Sequence, residues 1–219
     1  MSEIRNNYHA LVRSEVLPLV PTMGGTLLDV GGGIGATAAA LKSCGKVDRV
    51  GIADLVEPST NDLDVDFHYA GNLEEPEFLD NILEQEGPFS TILCLDVLEH
   101  IQDPWTLVKR LHSALTPNGV IIASIPNIRH YTASFPLFFC GRWTLEDAGI
   151  RDRTHLRWFV KETAIELMTS SGLRLEAVVP NPTEARRIRL IRKLTLGMFN
   201  SFTDLQYLIR VRNVSTDIK

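Results

Sequence analysis

Cysteine is scarce in this sequence, with only Cys44, Cys94 and Cys140 among 219 residues. Their spacing matches neither a zinc site nor a disulfide framework, which favours a reduced, cytoplasmic protein. No apolar run approaches the roughly 20 residues that a membrane-spanning helix needs. The N-terminus also lacks a basic segment followed by an apolar core. We therefore expect neither a signal peptide nor a transmembrane segment.

Acidic and basic residues are unevenly distributed along the chain. Residues 1–130 have 8 Lys/Arg against 18 Asp/Glu, a balance of −10, whereas residues 131–219 have 14 against 9, a balance of +5. The overall charge of −5 and the lack of an added RNA-binding module argue against a nucleic-acid partner. The basic half either attracts an anionic ligand or forms a helix with a solvated basic face.

Seven short apolar stretches alternate with segments of helical character. Several, such as "STILCL" at residues 90–95, are continuous rather than alternating, which is typical of strands buried on both faces. This pattern predicts an α/β fold with a mostly parallel seven-stranded sheet and helices on both faces. The predicted strands span residues 25–30, 48–54, 65–70, 90–95, 120–125, 173–179 and 205–213.

Helices are predicted from apolar spacing and from capping residues. Asp103 before a proline is a favourable N-cap for the helix at 105–115, and Gly172 ends the helix that starts at Lys161. The acidic stretch at 61–86 is interpreted as a solvated edge. Further helices are predicted at residues 3–20, 36–41 and 184–196.

Neither a repeat nor a linker divides the sequence, so we expect a single domain over residues 1–219. An N-terminal helix would lie within residues 1–22. Residues 126–158 interrupt the strand and helix alternation and form an irregular insertion.

A glycine-rich turn, "DVGGGIGA", follows the first predicted strand. Gly31, Gly33 and Gly35 allow a tight turn whose backbone N–H groups approach a ligand, at the edge where open α/β sheets bind nucleotides. The spacing fits the dinucleotide pattern G-x-G-x-x-G/A, but Asp29 precedes it. A carboxylate disfavours a pyrophosphate and favours a ligand with an ammonium and a sulfonium group.

Two motifs resemble those of the Rossmann-like (class I) S-adenosylmethionine (SAM)-dependent methyltransferases. "LLDVGGGIG" resembles their first motif, and "LDVLEH" followed by Asp103-Pro104 resembles the subgroup that includes the ubiquinone and menaquinone methyltransferases. The resemblance covers residues 25–180. It implies a Rossmann-like sheet with an antiparallel last strand, SAM as cofactor and S-adenosylhomocysteine (SAH) as product.

The resemblance also implies which residues bind the cofactor. Asp29 and the glycines would hold its amino-acid end, and Asp54 would bind the ribose, although the family register falls nearer Ala53 and Glu57 is also close. Asn72 stands where the family usually has an aspartate at the adenine amino group. The full cofactor set is Asp29, Gly31, Gly33, Gly35, Asp54, Asn72, Leu73, Asp96 and Val97.

The segment "GRWTLEDAGIRDRTHLRWF" is similar to one in methyltransferases associated with sugar and polysaccharide pathways. It suggests His155 as a general base oriented by Asp152, with His100 as an alternative. Its arginines either bind an anionic acceptor or form a structural ion-pair network. Residues 131–143 form either a lid over the substrate or a core helix. The expected substrate-binding residues are His100, Asn127, His130, Trp143, Arg153 and Arg157.

The favoured function is therefore O-methylation of a small hydroxylated acceptor such as a sugar or glycan precursor. The alternative is a methyltransferase acting on a quinone or phenolic natural product, whose mark would be an apolar pocket built from residues 131–143. An NAD-dependent sugar oxidoreductase or epimerase is a remote alternative. The sequence has no metal-binding spacing, so we expect metal-independent chemistry. A homodimer remains possible on the sequence alone.

Overall fold

The computed structural model describes residues 11–57, 63–182 and 186–214. A seven-stranded sheet forms its centre, with strand order β3-β2-β1-β4-β5-β7-β6. The strands are β1 (Thr26–Val30), β2 (Arg49–Asp54), β3 (Phe67–Ala70), β4 (Phe89–Leu95), β5 (Leu115–Pro126), β6 (Arg174–Pro182) and β7 (Asp204–Arg212). The helices are α1 (Ala36–Ser43), α2 (Pro76–Glu86), α3 (Pro104–Ser113), α4 (Tyr131–Cys140), α5 (Lys161–Thr169), α6 (Arg186–Leu194) and α7 (Asn200–Thr203).

The first five strands pair in parallel, and β7 pairs antiparallel with both β5 and β6. This confirms the predicted mostly parallel sheet with an antiparallel last strand. Because parallel strands end at the same edge, the loops after β1, β2 and β4 converge there. The antiparallel direction of β7 brings its first residues to the same edge, where Gln206 lies opposite Pro126 of β5.

Helices cover both faces of the sheet, and each face has its own apolar core. On one face, the side chains of α2, α3 and α5 pack against residues such as Leu28 and Ile121. On the other, α1 and the segment around Val16 and Val20 pack against Leu27 and Ile52. Neighbouring residues of one strand thus enter opposite cores, as the strand period of two requires.

Three regions differ from the sequence-based expectations. The acidic stretch 61–86 contains α2, because Phe78, Leu79, Ile82 and Leu83 give this acidic helix an apolar face that packs against the core, with Leu79 and Ile82 buried. Part of the predicted N-terminal helix lies outside the described residues, and its described end is a single 3₁₀ turn at Leu17–Leu19. The insertion contains α4, in which only Ala133 and Ser134 are buried, so it is not a core helix.

The α3–sheet contact generates a stability prediction. Leu111 is fully buried in the core of one face, so Leu111→Ala should lower the free energy of unfolding by about 2–5 kcal/mol. Leu55 is 74% exposed, and Leu55→Ala is the matched control, expected to change stability by about 0.5 kcal/mol or less. Urea denaturation measures both. Equal losses in the two variants would contradict this assignment of the core.

Candidate functional site

The glycine turn after β1 adopts a backbone that other residues resist. Gly31, Gly33 and Gly35 all have positive φ, at 71°, 57° and 88°. A Cβ on Gly31 would lie 2.3 Å from Cγ2 of Val97, which follows β4. The turn therefore packs directly against the neighbouring loop, and Gly31 is needed both for its conformation and for this close approach.

Asp29 lies beneath this turn and is almost inaccessible, with 2% exposure. Its Oδ1 has no hydrogen-bond partner among the described residues. Burial, reinforced by the charge of Asp54 and opposed by Arg13, raises the pKa of Asp29 to about 7. A buried carboxyl group without a partner is costly, and a cationic ligand group placed at the turn would supply one.

Asp54, expected to bind a ribose, ends β2 and is buried. Its Oδ2 accepts from the Gly33 backbone N–H at 2.7 Å, and its Oδ1 accepts from Val56 N–H at 2.8 Å. These contacts orient the glycine turn. Glu57, three residues further on, is exposed and is the freer of the two acids.

Asn72 and Leu73 follow β3, as expected for residues near an adenine ring. Asn72 is exposed, and its Oδ1 accepts from the Glu74 backbone N–H at 3.0 Å, which makes an Asx turn. Leu73 is half-buried and packs against the larger core. The second lone pair of the Asn72 oxygen remains available for an amino group.

Asp96 and Val97 follow β4 next to the glycine turn. Val97 is buried against Gly31. Asp96 has a φ of 57°, accepts from Ser124 Oγ at 2.8 Å and pairs with Arg13 at 2.5 Å. Sequence reasoning missed Arg13, because nothing local links an N-terminal arginine to an acid 83 positions away. The pair ties the N-terminal segment to the cofactor edge.

Glu99, His100 and His155 form a second cluster just beyond β4. The His100 and His155 rings meet edge to face, 4.6 Å between centroids, and His155 Nε2 lies 4.0 Å from Glu99 Oε1. Glu99 is 1% exposed, and neither carboxylate oxygen has a hydrogen-bond partner among the described residues. Burial and the charge of Asp96 raise the pKa of Glu99 well above its usual range.

The cluster also has the composition of a divalent-metal site. One ligand atom from each of Glu99, His100 and His155 lies within 4.8 Å of the other two. Sequence reasoning missed this set, because His155 reaches the other two only through the fold. The available signal was the Glu-His pair directly after a buried strand.

His155 and His100 differ in accessibility and in partners. The His155 side chain is 6% exposed, and its Nδ1 faces the Ile150 carbonyl oxygen at 3.1 Å. Burial and the neighbouring His100 lower the pKa of His155. His100 is partly exposed, and its Nδ1 lies 3.0 Å from Thr154 Oγ1, which donates to Asp152 Oδ1 at 2.7 Å.

This chain of contacts sets the His100 tautomer. The Thr154 hydroxyl donates to Asp152, so it accepts from His100 Nδ1–H, which leaves Nε2 as an unprotonated acceptor. The side chain of Asp152 therefore bonds Thr154 rather than the His155 ring, contrary to the sequence-based expectation. The expected pair is joined by a backbone hydrogen bond, with His155 N–H donating to the Asp152 carbonyl at 3.1 Å, and its side chains interact through charge alone.

Two arginines of the insertion form ion pairs within their own loop. Arg151 pairs with Glu146, and Arg153 pairs with Asp147 at 2.7 Å. Arg157 Nη2 donates to the Gln102 carbonyl at 2.5 Å. These contacts favour the structural-network interpretation of the arginines over direct acceptor binding.

The remaining predicted acceptor residues divide into two groups. Trp143 and Trp158 lie edge to face, 5.9 Å between centroids, and Trp158 is 41% exposed. Asn127 and His130 are each 1% exposed. Asn127 donates to the carbonyls of Ser201 and Asp204 and accepts from Arg129 N–H, and His130 caps α4 through Thr132. Their contacts support structural roles.

An apolar cavity of about 250 Å³ lies between α4, α6 and α7. The cavity lies beside Thr203, the residue that precedes β7, and the first residues of β7 are at the carboxyl edge of the sheet. Its lining offers no charged side chain. The lining residues are Tyr131, Phe135, Ile188, Phe199, Phe202 and Thr203.

Residues 4–178, most of the chain, match the family described as a methyltransferase domain. Among curated relatives, the ubiquinone biosynthesis O-methyltransferase of Xanthomonas euvesicatoria pv. vesicatoria (strain 85-10) is 28% identical over 159 residues, 71% of this chain. That of Xylella fastidiosa (strain 9a5c) is 31% identical over 125 residues, 56% of this chain. The chain spans 65% and 49% of their lengths.

Solved structures with the same fold include a SAM-dependent methyltransferase from Archaeoglobus fulgidus. It superposes with a TM-score of 0.62 at 15% identity and covers 95% of this chain and 94% of its own. A SAM-dependent methyltransferase from Mesorhizobium loti gives a TM-score of 0.58 at 15% identity, covering 91% and 96%. At these identities the likeness shows the fold alone.

The raised pKa of Asp29 generates a prediction about the ligand-free chain. The folded pKa of about 7 exceeds the unfolded value of about 4, so between these values the native state binds more protons. The contribution of Asp29 to stability should therefore fall as pH rises from about 4 to about 7, and Asp29→Asn should abolish this fall of roughly 2–4 kcal/mol.

Urea denaturation across this pH range measures the effect. Asp147→Asn is the matched control, because Asp147 is an exposed surface acid. Its pH dependence should follow that of the wild type. If Asp29→Asn also follows the wild type, the buried acid is not the source of the dependence.

Proposed function

The chain belongs to the SAM-dependent methyltransferases, and on that premise we propose that it methylates a hydroxyl oxygen of a small, partly apolar molecule. SAM is the methyl donor. The single observation that supports the acceptor chemistry is the His100–Thr154–Asp152 chain of hydrogen bonds, which makes Nε2 the proton-accepting nitrogen of His100. The chain spans only part of the length of its curated relatives, so the acceptor in their names does not identify the acceptor of this chain.

The residues at the cofactor edge fit the donor. The unpartnered Oδ1 of Asp29 can accept from the ammonium of the amino-acid end, and the backbone of the glycine turn leaves room for it. Asp54 holds this turn through Gly33, and Glu57 is the exposed acid nearest the expected ribose position. When bound, SAM supplies the electrophilic methyl group.

Removing a proton from the acceptor is the task left to the protein. Held at the glycine turn, SAM would supply its methyl group to the acceptor oxygen and keep the carbon–sulfur electron pair as SAH, so only the hydroxyl proton would remain to be accepted. The hydroxyl proton passes to Nε2 of His100, whose Nδ1–H is held by Thr154 and Asp152. His155, buried against His100 and Ile150, positions the His100 ring.

The apolar cavity favours one acceptor class over the other. A lining of aromatic and aliphatic side chains suits the ring or tail of a phenol or quinol better than it suits a sugar. The ion-paired arginines of the insertion also offer less to a hydroxyl-rich or anionic acceptor. We therefore place the phenolic or quinol class ahead of the sugar or glycan precursor that the sequence favoured.

Replacing His100 tests the proton acceptor. His100→Ala should lower kcat by roughly 10²–10⁴, while calorimetric SAH affinity stays near the wild-type value because the glycine turn is untouched.

The matched control is His112→Ala, since both ring nitrogens of His112 face other partners, the Ser171 carbonyl oxygen and the Asn213 side chain. Its kcat should equal that of the wild type. A wild-type kcat in His100→Ala together with a large loss in His155→Ala would assign the base to His155 instead.

Chelation separates proton transfer from metal catalysis at the same cluster. If His100 acts as a base, treatment with EDTA should leave the rate within about twofold of the untreated value. A rate that collapses with EDTA and returns with Mg²⁺ or Zn²⁺ would contradict this role and assign Glu99, His100 and His155 as metal ligands.

Acceptor class is tested by assaying labelled SAM with alkyl-substituted catechols against sugar nucleotides. We expect turnover with the catechols, and Phe202→Ser should raise their KM because Phe202 lines the cavity. Turnover restricted to the sugars, unaffected by Phe202→Ser, would overturn the acceptor assignment without affecting the donor.

A further inference from the structure

The apolar cavity opens onto an exposed aromatic surface formed by one side of α4. Tyr131, Phe135 and Phe139 follow one another along the helix, with ring centroids 6.4 Å and 5.5 Å apart. Phe139 is 80% exposed and Phe138 is 78% exposed. Exposed apolar area of this kind, with no packing partner in the described chain, marks an interaction surface.

The second half of this surface lies across the cavity, on α6 and the turn that follows it. Ile188 of α6 lines the cavity with Phe135 of α4, so the two helices flank it. Leu190 and Leu194 are 57% and 73% exposed, and Leu196 is 95% exposed. Together with the α4 aromatics they form the apolar rim of the cavity.

The charge around this rim has one sign. Residues 129–145 and 186–203 contain no aspartate or glutamate. Arg187, Arg189 and Lys193 are exposed, and none of them forms an ion pair within the part of the chain that is described. The basic residues of the two stretches are Arg129, Arg142, Arg186, Arg187, Arg189, Arg192 and Lys193.

We propose that the rim of the apolar cavity, on α4 and α6, docks on the surface of an anionic lipid bilayer. Basic residues beside exposed aromatic and aliphatic side chains match the charged headgroups and the acyl boundary of such a surface. A second copy of this chain fits less well, because a symmetric contact would bring the same unpaired cations together. None of the helices in the described ranges could cross a bilayer, so the contact is interfacial.

Vesicle flotation tests the docking surface with the full chain. We expect the protein to float with phosphatidylcholine vesicles that contain about 30 mol% phosphatidylglycerol, and to remain in solution with pure phosphatidylcholine. Raising the salt concentration should weaken the binding, because the Debye length shortens.

Two double variants test the basic residues and the aromatic residues of the surface separately. Arg189→Glu/Lys193→Glu and Phe138→Ser/Phe139→Ser should each reduce binding to the anionic vesicles about tenfold or more. The matched controls lie on α3 and α5: Lys109→Glu/Lys161→Glu changes the same charge, and Trp105→Ser removes an aromatic side chain that is 44% exposed. Both controls should bind as the wild type does.

Three outcomes would overturn the proposal. These are failure of the wild type to float with anionic vesicles, equal binding by the surface variants and their controls, and a wild-type dimer in solution that Phe138→Ser/Phe139→Ser converts to monomer. SAH affinity, measured on every variant, shows that the fold is intact and does not depend on the acceptor assignment.

Discussion

The burial of the Asp29 carboxyl group beneath the glycine turn is the constraint on which the rest of the site depends. An acid without a partner in a low-dielectric position is unfavourable, and its raised pKa expresses that cost. Gly32 permits the turn to close over it, since a Cβ there would lie 2.6 Å from Asp29 Cγ, and Asp54 holds the turn from the next strand. Such an arrangement destabilises the ligand-free chain and becomes favourable when a cationic group is bound.

The residues that follow β4 connect the glycine turn with the insertion. Asp96 is fixed by Arg13 and Ser124, and the Glu99 carbonyl three residues later accepts from the backbone N–H groups of Leu156 and Arg157. The insertion is therefore tied to the segment that follows β4, beside the glycine turn. Alignment of donor and acceptor, which governs methyl transfer, depends on these backbone contacts.

Local patterns made the sheet and the cofactor edge predictable. Continuous apolar runs specify buried parallel strands, and Asp29 with its glycines is a contiguous signal. The helix α2 was missed because its acidic residues dominated the reading of this stretch, although Phe78, Leu79, Ile82 and Leu83 recur at helical spacing and pack against the core. Arg13 and the contact of His155 with His100 and Glu99 depend on tertiary approach over tens of residues. The periodic pattern of apolar residues in one sequence does not predict such contacts.

The most direct test of the buried acid is the number of protons released when SAH binds, measured by calorimetry at about pH 7 in two buffers of different ionisation enthalpy. Because the pKa of Asp29 is about 7 in the ligand-free chain, binding of an ammonium should release about half a proton. Asp29→Asn should release none. Equal heats in both buffers for the wild type would contradict the account.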